Sequence, residues 1–239
     1  MVEQPDQSTP LAGVHEFLRK EFKGRNVRIY EAGGGSRSYL PLEDLSISSV
    51  TVVDIDPVQI ADNRYGDQKV LGDIQEYVFP PNSFDLIVCY NVIEHLTSPD
   101  KAIELFYQAL APGGFVFIGA PNPTSLWGIA AKYTPHWFHV AAYRWILGRK
   151  DAGQPGKGPF PTIYHRIVSP AELVRFCEKL GFKTIYKQEH SSPNLQNLAD
   201  RRRIFGWAIK TSIAVLNVLA LGRNDFGKSD YHVVFKKVM

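Results

Sequence analysis

The apolar positions along the chain alternate between two periods. Leu11, Val14, Phe17, Leu18 and Phe22 recur at helical spacing and Gly24 closes the run, which predicts a helix over Leu11–Phe22. Short blocks follow at Val27–Tyr30, Val50–Val53 and Lys69–Leu71, each of strand length. Phe84–Tyr90 (FDLIVCY) is almost wholly apolar, as a central parallel strand buried on both faces requires. Pro99–Leu110 is a helix stopped by Ala111-Pro-Gly-Gly114, and Phe115–Gly119 is a fifth strand. Ser169-Pro-Ala-Glu172 reads as a capping box that opens a helix to Leu180, ended by Gly181. Lys183–Gln188 and Tyr231–Lys237 are the last two strands. Strand and helix in alternation predict an α/β fold: a seven-stranded, mostly parallel sheet with helices on both faces. The expected sheet has five parallel strands, then a C-terminal pair with one antiparallel strand.

Two segments break this rhythm without a linker on either side, so residues 1–239 are expected to form a single domain. Residues 121–168 are rich in Pro, Gly, Trp, Tyr and His and are expected to form a lid insertion; residues 191–229 form a helical insertion between the last two strands. Within the second, Ile204–Leu221 is apolar but contains Lys210, Thr211, Ser212 and Asn217, and it barely reaches the ~20 apolar residues that a bilayer span takes. Gly206, Lys210 and Asn217 fall near one helical face, which favours an amphipathic helix. Arg201-Arg-Arg203 just before it suits anionic headgroups, so peripheral membrane contact through 201–221 is one expectation. Packing on the domain or in a dimer interface is the other.

Composition narrows the functional classes. An apolar fraction of 44% fills a substantial core, and a net charge of +3 gives no general electrostatic case for nucleic acid. Cys89 and Cys177 sit in apolar contexts that suit buried thiols in a reducing cytoplasm, and the polar first ten residues lack the pattern of a secretory signal.

The chemistry concentrates after the first strand. Gly33-Gly34-Gly35 follows it directly, and a strand, glycine-rich turn and helix bring backbone close to a ligand. Asp54 lies 21 residues beyond Gly33, a spacing that nicotinamide-binding proteins share. Glu31 separates the readings. A pyrophosphate at this turn would be repelled by its carboxylate, whereas a ligand carrying an ammonium and a sulfonium would be attracted. The alternative is that Glu31 caps the adjacent helix or pairs with Arg37.

Five segments in order, YEAGGGS, TVVDIDP, LGDIQEYVFPPNSFDLIV, NVIEHL and LAPGGFVFIGAPN, resemble the class I S-adenosylmethionine-dependent methyltransferases, small-molecule type, akin to the ubiquinone-biosynthesis methyltransferases. They span about residues 27–122. Arg37 stands where the family usually has a third glycine. The resemblance implies S-adenosyl-L-methionine as cofactor and a small-molecule substrate, methylated at oxygen in preference to nitrogen or carbon. It implies Glu31, Gly33 and Gly35 at the cofactor turn, Asp54 on the ribose hydroxyls, Asp73 on the adenine amino group, Ile55 and Ile74 around the adenine ring, and Asn91 near the methionine end. Asp56 is expected to cap the following helix.

Glu94-His95 is the catalytic candidate, with His95 as general base near neutral pH; a structural role for the pair stays open. Asn91 occupies a position where related quinone O-methyltransferases carry a carboxylate, so no metal is expected. The lid adds His136, His139, Tyr143, Arg144, Tyr164, His165 and Arg166, each open to a packing role, and their spacing does not suggest zinc. A nicotinamide-dependent oxidoreductase and a non-catalytic methyltransferase-like partner protein are the remaining alternatives.

Overall fold

The computed structural model describes residues 10–40, 44–145, 148–154, 157–193, 203–221 and 224–238. Seven strands form one sheet: β1 (Val27–Ala32), β2 (Ile47–Asp54), β3 (Gln68–Leu71), β4 (Phe84–Tyr90), β5 (Leu110–Pro121), β6 (Phe182–His190) and β7 (Asp230–Lys237). Their order is β3-β2-β1-β4-β5-β7-β6. β7 alone runs antiparallel, pairing with β5 on one side and β6 on the other.

Among the described residues, seven α-helices accompany the sheet: α1 (Ala12–Glu21), α2 (Pro57–Asp62), α3 (Pro99–Ala109), α4 (Leu126–Tyr133), α5 (His136–Trp145), α6 (Pro170–Leu180) and α7 (Arg203–Leu219). Alternate side chains of the central strands feed two cores. On one face Tyr30, Ile87, Ile118 and Phe235 pack against Ile103 and Phe106 of α3 and Leu173 and Cys177 of α6. On the other, Ile29, Leu86, Val88 and Phe117 pack against Val14 and Leu18 of α1. Burial on both faces is why β4 carries no polar alternation.

Two local expectations need correction. No α-helix occurs among the described residues between Gly33 and β2. In that stretch the Ser38 hydroxyl is spent on the turn itself, accepting from Leu40 N at 3.1 Å. Ser169 does not form the capping box before α6. Its hydroxyl donates to Arg166 O at 3.2 Å, and Glu172 is engaged by Arg175 at 2.6 Å. Pro170 and a left-handed Gly181 do delimit that helix as expected.

α7 settles a point the periodicity left open, namely which side packs. Its packed side carries Gly206, Ile209, Ile213, Leu216 and Asn217, while Trp207, Val215, Val218 and Leu219 are exposed. Asn217 thus faces the protein, because its amide is used there: Oδ1 accepts from Phe226 N at 2.9 Å and Nδ2 donates to Asp225 Oδ1 at 3.2 Å. Arg201 and Arg202 lie outside the described residues, as do the side-chain placements of residues 203–205.

Phe106 is fully buried on α3, with its ring centroid 5.8 Å from that of Tyr30 in β1. Phe106→Ala is expected to lower stability by about 3–5 kcal/mol through lost burial and the cavity left behind, as measured by denaturant unfolding.

Candidate active site

Strand order reverses between β1 and β4, and in such sheets the crevice beyond the carboxyl ends of those strands receives the ligand. Gly33 and Asn91, both marked in the sequence, lie at this edge. Gly33, at the end of β1, has φ +69°, and a Cβ there would meet the Val92 methyls at 2.5 Å. Val92 stands just past β4, where Asn91 takes a left-handed turn (φ +55°) and donates its N–H to Gly119 O at 2.8 Å. Only glycine satisfies both the backbone and the contact at position 33.

The turn is held from the side of β2. Asp54 Oδ2 accepts from Gly35 N at 2.9 Å and Oδ1 from Asp56 N at 2.8 Å. Each oxygen keeps a further acceptor position, which fits a pair of ribose hydroxyls. Asp56 caps α2 by accepting from Val58 N and Gln59 N. Asn63 Nδ2 donates to Gly35 O at 2.6 Å and the Tyr65 hydroxyl to Gly34 O at 3.0 Å. Neither residue was evident in the sequence; an Asn and a Tyr just after a six-residue helix resemble any loop.

Glu31 is buried at the end of β1 and accepts a short hydrogen bond from Ser38 Oγ; this, and not an ion pair with Arg37, is its observed partner. Burial pushes its carboxyl up to about 7, against the Ser38 hydrogen bond, which lowers it. The carboxyl of Asp54 is likewise raised by burial, against its backbone hydrogen bonds. Such a site gains from a cation and resists an anion. Among the described residues no α-helix follows the glycines to offer its N-terminus to a pyrophosphate.

The remaining cofactor candidates divide by exposure. Ile55 is 69% exposed at the rim, whereas Ile74 is buried in the core cluster with Val53 and Tyr30. Asp73, just past β3, accepts from Gln75 N at 2.8 Å and from Gln75 Nε2 at 3.0 Å.

Past β4, Ile93–His95 forms one 3₁₀ turn. Glu94 O accepts from Ile163 N and Tyr164 N, so the end of the lid lies across this turn. His95 Nδ1 lies 2.7 Å from Pro161 O. A carbonyl only accepts, so Nδ1 carries the proton and Nε2 keeps its lone pair. Burial lowers the His95 pKa, partly offset by the Pro161 hydrogen bond, which keeps the ring neutral at pH 7. Glu94 Oε1 stands 3.6 Å from His95 Nε2, and Oε2 has no hydrogen-bond partner among the described residues. The Glu94 carboxyl is pushed up to about 8 by complete burial, with Asp230 adding to the rise.

Asp230, the first residue of β7, is a site residue that the sequence did not mark. It is opposite Pro121 of β5 and accepts from Ser229 Oγ at 2.6 Å. Of the lid candidates, Tyr164 is buried within electrostatic reach of Glu94 and Asp230, and Tyr143 in turn of Tyr164. The others turn elsewhere. His165 Nδ1 accepts from Ile167 N, Arg166 approaches Glu172 and Arg144 donates to Ala152 O. His139 bonds Thr134, and His136 is exposed on α5. Among the described residues, no group of three or more His, Cys, Asp or Glu is placed to hold a metal ion.

Residues 31–118, the span from Glu31 to the end of the β5 core, match the family described as "Methyltransferase domain". That stretch is similar to methyltransferase domains, and the sheet shares its fold with solved S-adenosylmethionine-dependent methyltransferases. The chain is 24% identical over 105 residues to the ubiquinone biosynthesis O-methyltransferase of Azoarcus sp. (strain BH72), covering 44% of this chain and 39% of that protein. It is 26% identical over 190 residues to the chloroplastic 2-methyl-6-phytyl-1,4-hydroquinone methyltransferase 2 of Oryza sativa subsp. japonica, covering 72% and 51%. The chain therefore spans about half or less of the length of these relatives. A SAM-dependent methyltransferase from Archaeoglobus fulgidus superposes with a TM-score of 0.57 at 23% identity, covering 94% of this chain and 93% of that one, and shares the fold.

Two measurements test this methyltransferase site. Asp54→Ala removes a charged acceptor, and a loss of S-adenosylhomocysteine affinity of about 1.5–3 kcal/mol per hydrogen bond is expected by calorimetry. Unchanged affinity in the folded variant would show that Asp54 holds only the turn. Glu31 must be ionised to attract an ammonium, and its carboxyl titrates at about 7. Affinity is therefore expected to rise with pH through that value and level off above it, changing by about tenfold per unit below. In Glu31→Gln that step is expected to vanish.

Proposed function

We propose that this chain transfers the methyl group of S-adenosylmethionine to a hydroxyl oxygen of a small ring-bearing or lipid-like molecule. The cofactor supplies a methyl already activated by positive sulfur, so the protein contributes chiefly position and proton removal. The observation that carries the reading is His95: a ring kept neutral by burial, with its tautomer set by the Pro161 carbonyl and its Nε2 lone pair left to accept a hydroxyl proton. Glu94 contributes no full negative charge at pH 7, because its carboxyl is held near 8. The ring or lipid-like class is supported by relatives whose names place them in ubiquinone biosynthesis or on a phytyl hydroquinone. A nicotinamide-dependent oxidoreductase is not favoured, since the turn is anionic where a pyrophosphate would lie.

The same reading places the protein in the cytoplasm, in peripheral contact with a membrane through residues 201–221. Two free, buried thiols, Cys89 and Cys177, support a reducing compartment.

Turnover with a quinol or other phenolic acceptor tests the activity. His95→Ala is expected to bind S-adenosylhomocysteine as the parent does and to turn over about 10²–10⁴-fold more slowly. A fall of less than tenfold would move the base to Glu94, since His165 is used in a turn and His136 lies exposed on α5.

A further inference from the structure

Every Trp of the chain falls in one of two segments. Trp127, Trp137 and Trp145 lie within 122–150 and Trp207 within 201–223, and none of the 24 Asp and Glu residues is found in either segment. In the fold these segments supply α4, α5 and α7, and they turn apolar groups outward. Trp137, Trp145 and Trp207 are 69%, 85% and 71% exposed. On α7 the outward residues include Val218 and Leu219, while the hydrogen-bonding Asn217 faces inward. A helix serving only to cover a soluble domain would be turned the other way.

α7 and the start of α4 are held together, and α5 follows α4 directly, tied back to its end by His139 Nε2 at 2.7 Å from Thr134 Oγ1. The loop after α7 makes the first of these links: Asn217 Oδ1 accepts from Phe226 N, and Phe226 O accepts from Leu126 N at the start of α4. Asn224 Nδ2 also donates to Thr124 O at 3.2 Å. The same loop leads into Asp230, so α7 and the start of α4 adjoin the proposed active site.

We infer that α4, α5 and α7 together form a docking surface for an anionic lipid bilayer, lying in its interface. Trp rings favour that depth, and the exposed Lys132, Lys150 and Lys210 suit acidic headgroups. No helix among the described residues is long and apolar enough to cross a membrane. A second copy of the chain fits this surface less well. A twofold contact would set these segments against their own image, bringing cation to cation with no carboxylate in either to pair. The inference deepens the proposed function by naming a partner, and it relies on that reading only for why a lipid-like substrate would be met there.

Because all four Trp lie in these segments, intrinsic fluorescence of the unmodified full chain reports docking directly. Phosphatidylcholine vesicles containing phosphatidylglycerol are expected to shift Trp emission to the blue and to carry the protein upward in flotation. Added salt should weaken both effects, and phosphatidylcholine alone should give far less. Trp137→Ser with Trp145→Ser is expected to reduce vesicle partitioning by about tenfold or more, with S-adenosylhomocysteine affinity unchanged. Replacing Lys132, Lys150 and Lys210 by Ser should remove the preference for anionic vesicles. Unshifted emission with protein left unfloated, or a concentration-dependent dimer that the Trp variants abolish, would overturn the inference. Vesicle binding without S-adenosylhomocysteine binding would instead defeat the proposed activity and leave the surface standing.

Discussion

Parallel strands end together, and the loops leaving that common edge must find partners for exposed backbone groups. Where a glycine turn opens into a helix, the helix takes up much of that demand. Here Asp54 does it, bridging Gly35 N and Asp56 N, while Asn63 and Tyr65 take the carbonyls of Gly35 and Gly34. The register of β1 beside β2 fixes where this carboxylate stands, since Glu31 pairs with Val52 and Ala32 with Val53. With the turn so placed, Gly33 admits Val92, which seats the segment from Asn91 to His95.

The same arrangement sets the electrostatics. Glu31, Asp54, Glu94 and Asp230 all gather at the carboxyl edge, and burial raises the carboxyl pKa of each. No Lys or Arg forms a salt bridge to any of them among the described residues. A crevice of this kind favours keeping protons in the absence of a cation and giving them up when one binds. The energetic cost of burying acids is thereby offset at the moment a positively charged ligand enters, which ties the stability of the crevice to its occupancy.

Much of this was legible along the chain because it depends on near neighbours. The apolar run at Phe84–Tyr90 needs no tertiary knowledge to be read as a central strand, and Asp56 announces the helix it caps. Glu31 was legible as an anomaly, an acid where a phosphate-binding turn would exclude one. What escaped depends on partners far away in sequence. Asp230 joins the site only because β7 is inserted beside β5, and Pro161 orients His95 across 66 positions. Which side of α7 meets the protein was not legible, because its periodicity gives the angle between residues but not the side that packs. Asn217 decides that through its bonds to the loop at Asp225–Phe226.

The placement of β7 bears on how the chain reaches this state. β6 precedes it in sequence but has no other partner in the sheet, and β5 lacks its second neighbour until β7 arrives. During synthesis, therefore, β6 and one side of β5 must wait with unpaired backbone and apolar faces, the condition in which nascent chains associate wrongly. The last strand to emerge closes the sheet between its two neighbours and delivers Asp230 to the crevice in the same step. Assembly of the sheet and completion of the acidic cluster are thus a single late event.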